Sequence, residues 1–222
     1  MHRQGDGRFR ALATDYDGTI AYGPRPAPEV LDAIASLRRA GWAVVLVTGR
    51  IRSDLRTIFP DVEAWFDALV LENGAVLGRP GREHGPLAPP VSPALAQALR
   101  ARGLPVELGE VLLATDTVHE PVVRAEVSRL GLDLALVHNR EALMVLPAGV
   151  SKGTGLRAAL AELGIDPAQA IGVGDAENDL DLLAACGLGV AVENAILALK
   201  ARAGRLLTAP GPAGIAAFLR SL

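Results

Sequence analysis

The chain has 222 residues, 50% of them hydrophobic but only 4% aromatic, and a formal net charge of −3. That length suits one large domain or one domain with a sizeable insertion, and the charge gives no electrostatic case for binding nucleic acid. No run of about 18 apolar residues is present to span a membrane, and Met1 to Gly7 lacks the apolar segment of a secretory leader, so a cytoplasmic protein is expected.

The first strand is expected over Phe9 to Thr14, followed by a polar loop with Gly18, Gly23, Pro24 and Pro26. A helix from about Pro28 to Ala40 puts Val30, Ile34 and Leu37 on one face, with proline in its first turn and Gly41 as its stop. A strand over Trp42 to Val47 comes next, then a short helix capped by Ser53 and ended by Pro60. A third strand over Ala68 to Leu71 turns at Asn73-Gly74 into Ala75-Val76-Leu77. Strand and helix alternating in this order predict a mainly parallel α/β sheet.

Beyond residue 78 the pattern changes. Gly78 to Pro86 has little capacity for helix or central strand. A helix opened by Ser92-Pro93, a strand-like Val106 to Ala114 with a turn at Gly109-Glu110, and a helix from Pro121 to Leu130 follow. Leu132 to Val137 and Ala142 to Leu146 form a hairpin, completing an inserted α+β unit. The reading assigns 1–80 and 150–222 to a discontinuous core and 81–149 to the insertion. After Gly149 the first pattern resumes: a helix from Lys152 to Leu163, a strand over Ile171 to Val173, and a short helix from Leu180 to Ala185 capped by Asn178 or Asp179. A strand over Gly189 to Val192, a helix near Ala195 to Ala203 and a terminal helix from Pro212 to Leu219 close the chain.

Chemistry gathers at the ends of the predicted strands. Asp15 and Asp17 end the first, Thr48-Gly49-Arg50 the second, and Gly174-Asp175-Ala176-Glu177-Asn178-Asp179 a later one. Parallel strands deliver such residues to one edge of a sheet, where ligands of open α/β folds bind. A carboxylate there can attack phosphorus and a second can move a proton, although Asp-x-Asp also serves turn capping or metal binding. The Thr48 hydroxyl and the following Gly49 N–H can hold a phosphate oxygen. Asp175 can reach a cation, with Asp179 orienting it through water. Arg50 is open between a substrate contact and a structural ion pair. Lys152, one of two lysines in the chain, offers a compact charge beside a phosphate. The histidines, His84, His119 and His138 among them, are scattered and read as surface or loop residues, and Cys186 reads as buried packing.

The ordered set Asp15-Tyr16-Asp17-Gly18-Thr19, Thr48, Lys152 and Gly174 to Asp179 resembles the four motifs of the haloacid dehalogenase superfamily of phosphatases. The resemblance implies a Rossmann-like parallel sheet flanked by helices, with Asp15 as nucleophile and Asp17 as general acid/base. It implies Mg²⁺ held by Asp15, Asp17 (through its main-chain oxygen) and Asp175, with Asp179 beside them. It further implies that Thr48, Gly49, Lys152 and Asn178 meet the phosphoryl group. Only eight residues separate Thr19 from Pro28, so no cap fits there, and the insertion after Glu72-Asn73-Gly74-Ala75 resembles a type-two cap of the Cof-like branch. Small archaeal phosphoglycolate phosphatases and sugar-phosphate phosphatases belong to that branch. The expected function is a Mg²⁺-dependent phosphomonoesterase of a small phosphorylated metabolite. A phosphomutase and a non-catalytic phosphate-binding module are the alternatives. His119, Arg124, Arg140 and Glu141 are the residues of the insertion placed as candidates to meet substrate.

Overall fold

The structure is a computed structural model and describes residues 8–82 and 84–222. Residues 1–7, which include the N-terminal stretch without an apolar segment, and Glu83 lie outside the described residues. In chain order the elements are β1 (Ala11–Thr14), α1 (Pro28–Arg39), β2 (Ala43–Val47), α2 (Arg52–Ile58), β3 (Ala68–Leu71), β4 (Val76–Gly78) and β5 (Gly85–Pro86). Next come α3 (Pro93–Ala101), β6 (Glu107–Leu108), β7 (Leu113–Asp116), α4 (Glu120–Arg129), β8 (Leu134–Asn139) and β9 (Ala142–Pro147). The chain closes with α5 (Lys152–Leu163), β10 (Ala170–Gly174), α6 (Leu180–Ala184), β11 (Leu188–Ala191), α7 (Leu197–Lys200), β12 (Arg205–Leu206) and α8 (Gly211–Leu219).

The large sheet runs β12-β11-β10-β1-β2-β3-β4-β5, parallel from β12 through β3 and antiparallel at β4 and β5. Its central strands are short aliphatic runs with every residue of β1, β3 and β10 buried, as expected of strands covered on both faces. The order puts β1 between β10 and β2, with Thr14 level with Val173 on one side and Leu46 on the other. The chain therefore turns off in different directions beyond Thr14, Val47 and Gly174, and their continuations converge on one edge. The large sheet extends past residue 80, since β5 pairs with β4 inside the span read as the insertion.

The small sheet, β6-β7-β9-β8, is antiparallel throughout. Alternation along β9 serves two cores. Leu143 and Val145 join Leu95, Leu99, Leu113 and Val123 in a cluster under α3 and α4, whereas Leu146 belongs to the main core. Met144, on the same face as Leu146, brings its methyl against Gly49, just past β2.

The two units are joined by a carboxylate. Glu72, only 1% exposed, accepts hydrogen bonds from the consecutive backbone N–H groups of Glu110 (2.7 Å), Val111 (2.8 Å) and Leu112 (3.0 Å). Successive amides aimed at one point make a natural anion cradle. Arg52 adds an ion pair to Glu110 at 2.6 Å.

Several local expectations change. The helix read near Ala195 to Ala203 is only the four-residue α7, because Asn194 is drawn to the loop after β1, donating to the Gly18 carbonyl at 2.9 Å. Ser53 does not cap α2; Ile51 precedes the helix and Ser53 lies within its first turn. Asp179 stands at the N-cap position of α6, as read, but its side chain gives that helix no capping bond, for its carboxylate reaches back to Asp175 N and Ala176 N at 2.9 and 3.0 Å. His84 lies in a loop as read but is not a surface side chain: it is 4% exposed and 3.2 Å from Glu63. Asn73-Gly74 does turn β3 into β4, through a 3₁₀ turn in which Glu72, Asn73 and Gly74 all take positive φ.

Gly74 is required twice over, since its φ is +101° and an added Cβ would lie 1.9 Å from the Ser151 carbonyl oxygen. Gly74→Ala is expected to destabilise the fold by about 2–4 kcal/mol, the sum of backbone strain and overpacking. Gly81→Ala, with φ +73° but nothing within 4 Å, should cost about 1 kcal/mol, the strain alone. Urea denaturation of both variants measures the difference, and equal costs would contradict the close approach of Gly74 to α5.

Candidate active site

The edge beyond β1 and β10 is acidic and dry. Asp15 is 5% exposed, and Asp175 and Asp179 are both at 0%. One carboxylate oxygen from each lies within 4.8 Å of the others. Three carboxylates so close and so desolvated repel one another and require positive charge. Lys152, at the start of α5, supplies part of it, its ammonium lying 2.6 Å from Asp15 Oδ1 and 2.6 Å from Asp179 Oδ1. Arg140, at the tip of the β8–β9 hairpin, supplies more by pairing with Asp175 Oδ2.

The titration behaviour reflects this crowding. Burial pushes the Asp15 carboxyl well above its ordinary value; Lys152 opposes the shift, and Asp179 and Asp175 add to it. Burial also raises Asp175, against the hydrogen bond from Arg140. Burial works against the charge on Lys152, but the carboxylates of Asp15 and Asp179 outweigh it and hold its pKa above the ordinary lysine value. Lys152 is thus a fixed cation, and the carboxylates remain under-neutralised.

This donor set fits a hard divalent cation: it is all carboxylate oxygen, buried and short of positive charge. The turn after β1 is shaped around it. Gly18 has φ +81°, and a Cβ there would fall 2.4 Å from Asp175 Oδ2. Thr19 donates to Asp175 Oδ1 at 3.2 Å, fixing the rotation of that carboxylate. Asp17 does not bring its carboxylate into the cluster. Its two oxygens accept from Arg50 at 2.9 and 2.7 Å, and its side chain is 46% exposed. Arg50, for which the sequence leaves two roles open, is in this state an ion-pair partner.

Thr48 is fully buried at the end of β2, one strand over from Asp15, and its Oγ1 accepts from Arg50 N at 3.2 Å. Asn178 faces Asn73, donating to its Oδ1 at 2.9 Å, while Asn73 N donates to the Thr48 carbonyl at 3.0 Å. The sequence reading gave no individual role in the site to Asn73, Thr19, Glu72, Met144 or Asn194. The signal for Asn73 was its place in the strand-ending turn Glu72-Asn73-Gly74; Met144 gave none, being one more apolar residue in an alternating strand. Of the four candidates in the insertion, Arg140 meets the cluster, whereas Arg124 is engaged with Glu120. A cavity of about 580 Å³ opens beside the cluster, lined in part by Asn73, Val137, Lys152, Glu177 and Asn178.

The comparisons with known proteins bear on the family and the fold. The family profile of haloacid dehalogenase-like hydrolases matches residues 12–85 and 117–219. A phosphoglycolate phosphatase of Halorubrum lacusprofundi is 32% identical, the match covering 95% of this chain and 97% of its own. One from Methanoculleus marisnigri is 30% identical over 84% of this chain and 85% of its own. Among solved structures, a haloacid dehalogenase-like hydrolase of B. subtilis superposes with a TM-score of 0.78 at 19% identity, covering 96% of this chain and all of that one (100%). A subclass IIB sugar phosphatase of the superfamily gives 0.78 at 19% identity, over 96% and 98% of the two chains. The chain belongs to the haloacid dehalogenase-like hydrolases, in the phosphatase branch of that superfamily. Among the described residues no helix is long and apolar enough to cross a membrane.

The raised carboxyls make a thermodynamic prediction. Between the ordinary value of 3.8 and the higher folded-state values of Asp15 and Asp175, the folded chain holds more protons than the unfolded one. Metal-free stability should therefore fall as pH rises through that window. A divalent cation that binds the folded cluster alone should oppose the fall, adding about 2.7 kcal/mol at a hundredfold excess over its dissociation constant. Thermal melts at pH 5 and pH 8, with EDTA or MgCl₂, check this. An equal or smaller effect of Mg²⁺ at the higher pH would contradict the assignment.

Proposed function

We propose that the protein is a Mg²⁺-dependent phosphomonoester hydrolase that works through an aspartyl-phosphate intermediate on a small phosphorylated metabolite. The observation that carries this reading is the buried group of Asp15, Asp175 and Asp179 held against the ammonium of Lys152 at the ends of β1 and β10. Asp15, Asp175 and the loop at Asp17 would hold the cation, with Asp179 beside them. When bound, the cation would neutralise charge on the phosphoryl oxygens and hold the ester in place.

The Asp15 carboxylate attacks phosphorus, the bond to the leaving oxygen breaks, and Asp17 gives that oxygen its proton. In the second step water loses a proton to Asp17 and attacks the same phosphorus. The bond to Asp15 breaks, and inorganic phosphate leaves. Thr48, Gly49, Lys152 and Asn178 receive the phosphoryl oxygens, a role for Asn178 supported by the hydrogen bond it donates to Asn73. Asp17 enters the reaction by exchanging Arg50 for the leaving oxygen. The insertion acts as a cap that keeps water from the site and meets the rest of the substrate. Phosphoglycolate and sugar phosphates are the substrate types that the relatives and structural neighbours suggest.

Asp15→Asn should fold as the wild type does and release no phosphate, since an amide cannot serve as the nucleophile. Circular dichroism and a phosphate-release assay over phosphoglycolate, sugar phosphates and p-nitrophenyl phosphate check it, with mass spectrometry to exclude deamidation. Near-normal turnover by pure Asp15→Asn would refute the covalent route. EDTA should abolish wild-type activity and Mg²⁺ restore it, with Ca²⁺ a poor substitute because its longer, looser coordination misplaces the nucleophile. Activity that survives exhaustive chelation would remove the cation from the reading.

A further inference from the structure

The cap carries several basic side chains, and most are satisfied within the cap itself. Arg102 and Arg129 both hold Glu126, at 2.5 and 2.7 Å, and Arg124 and His138 both hold Glu120, at 2.5 and 2.7 Å. Arg140 differs. Its guanidinium leaves the cap and pairs with Asp175 in the acidic cluster of the core. The backbone presents it for this: Arg140 takes φ +54°, uncommon for a non-glycine residue, and its N–H lies 3.3 Å from Glu177 Oε2.

Asp175 is also one of the carboxylates placed to hold the cation. A cation on that carboxylate would compete with Arg140 for its charge and repel the guanidinium in so dry a site. With a cation bound there, the Arg140 guanidinium would be released from Asp175 while its backbone N–H stays beside Glu177 at the edge of the site. It would then be free to meet an anion on the part of the substrate that faces the cap. We propose that Arg140 is the side chain by which the cap recognises a negatively charged leaving group, a carboxylate within a few bonds of the ester oxygen; this rests on the phosphatase reading above. A guanidinium matches a carboxylate with paired, charge-assisted hydrogen bonds, so the contact selects such a leaving group over a neutral polyol.

The experiment compares wild type, Arg140→Gln and Arg140→Lys in Mg²⁺. The first readout is the ratio of kcat/KM for phosphoglycolate to that for p-nitrophenyl phosphate. The ratio should fall roughly thirtyfold in Arg140→Gln, the worth of one charge-assisted contact, and less in Arg140→Lys, which keeps the charge but not the fork. The second readout needs no turnover: calorimetric titration with phosphonopropionate and propylphosphonate. Wild type should prefer the carboxylated phosphonate by a similar factor, and Arg140→Gln should bind the two alike. An unchanged ratio in Arg140→Gln, or equal binding of the two phosphonates by wild type, overturns the proposal. The second result would mean that Arg140 turns to Glu177 instead of to the ligand. A failure of the phosphatase reading is separate: it is the absence of phosphate release from every ester by wild type, whatever the phosphonate titration shows.

Discussion

The contact on which the site depends is Lys152 held between Asp15 and Asp179. All three groups are out of water, and a buried charge is tolerable only when paired and hydrogen-bonded. The lysine opens α5, Asp15 ends β1, and Asp179 comes just after β10, so the pair of ion pairs ties three distant stretches of chain at one point. Asp179 spends its second oxygen on the backbone N–H groups of Asp175 and Ala176. The same carboxylate thus orders the loop that aims Asp175. Removing the lysine would leave two carboxylates in a dry pocket, which is why a residue with so flexible a stem is 1% exposed here.

Strand-end positions were legible because parallel-sheet strands are aliphatic runs with sharp ends. Leu12 to Thr14, Val44 to Val47 and Ile171 to Val173 have no charged interruption, and the residues just past each run must lie at the sheet edge. The strand order could then be read only in outline, yet it suffices to bring Asp15 beside Asp175. The helix ends were less legible. Asp179 and Asn194 are residues that cap helices by propensity, but other partners claimed them: the preceding Asp175 and Ala176 amides together with Lys152 for one, Gly18 and Gly211 for the other.

Contacts between the two units were the least legible, because neither side of such a contact has a local signature. Glu72 looks like a solvated turn residue until the amides of residues 110–112 are folded over it. Arg50 could be resolved only in space, where Asp17 meets it with both oxygens. Arg140 stood among several charged residues of the insertion, and only the hairpin's placement over Asp175 distinguishes it.

The two faces of β9 divide labour by parity. Odd positions, Leu143 and Val145, hold the small core beneath α3 and α4, whereas Met144 on the even face meets Gly49 beside Thr48. A change at Met144 can therefore alter the surroundings of Gly49 and Thr48 without loosening the small core, and changes at Leu143 and Val145 can adjust that core without reaching Gly49. At Met144 the pleat thus separates what faces Gly49 from what holds the small core, whereas Leu146, two residues on, ties the same face to the main core.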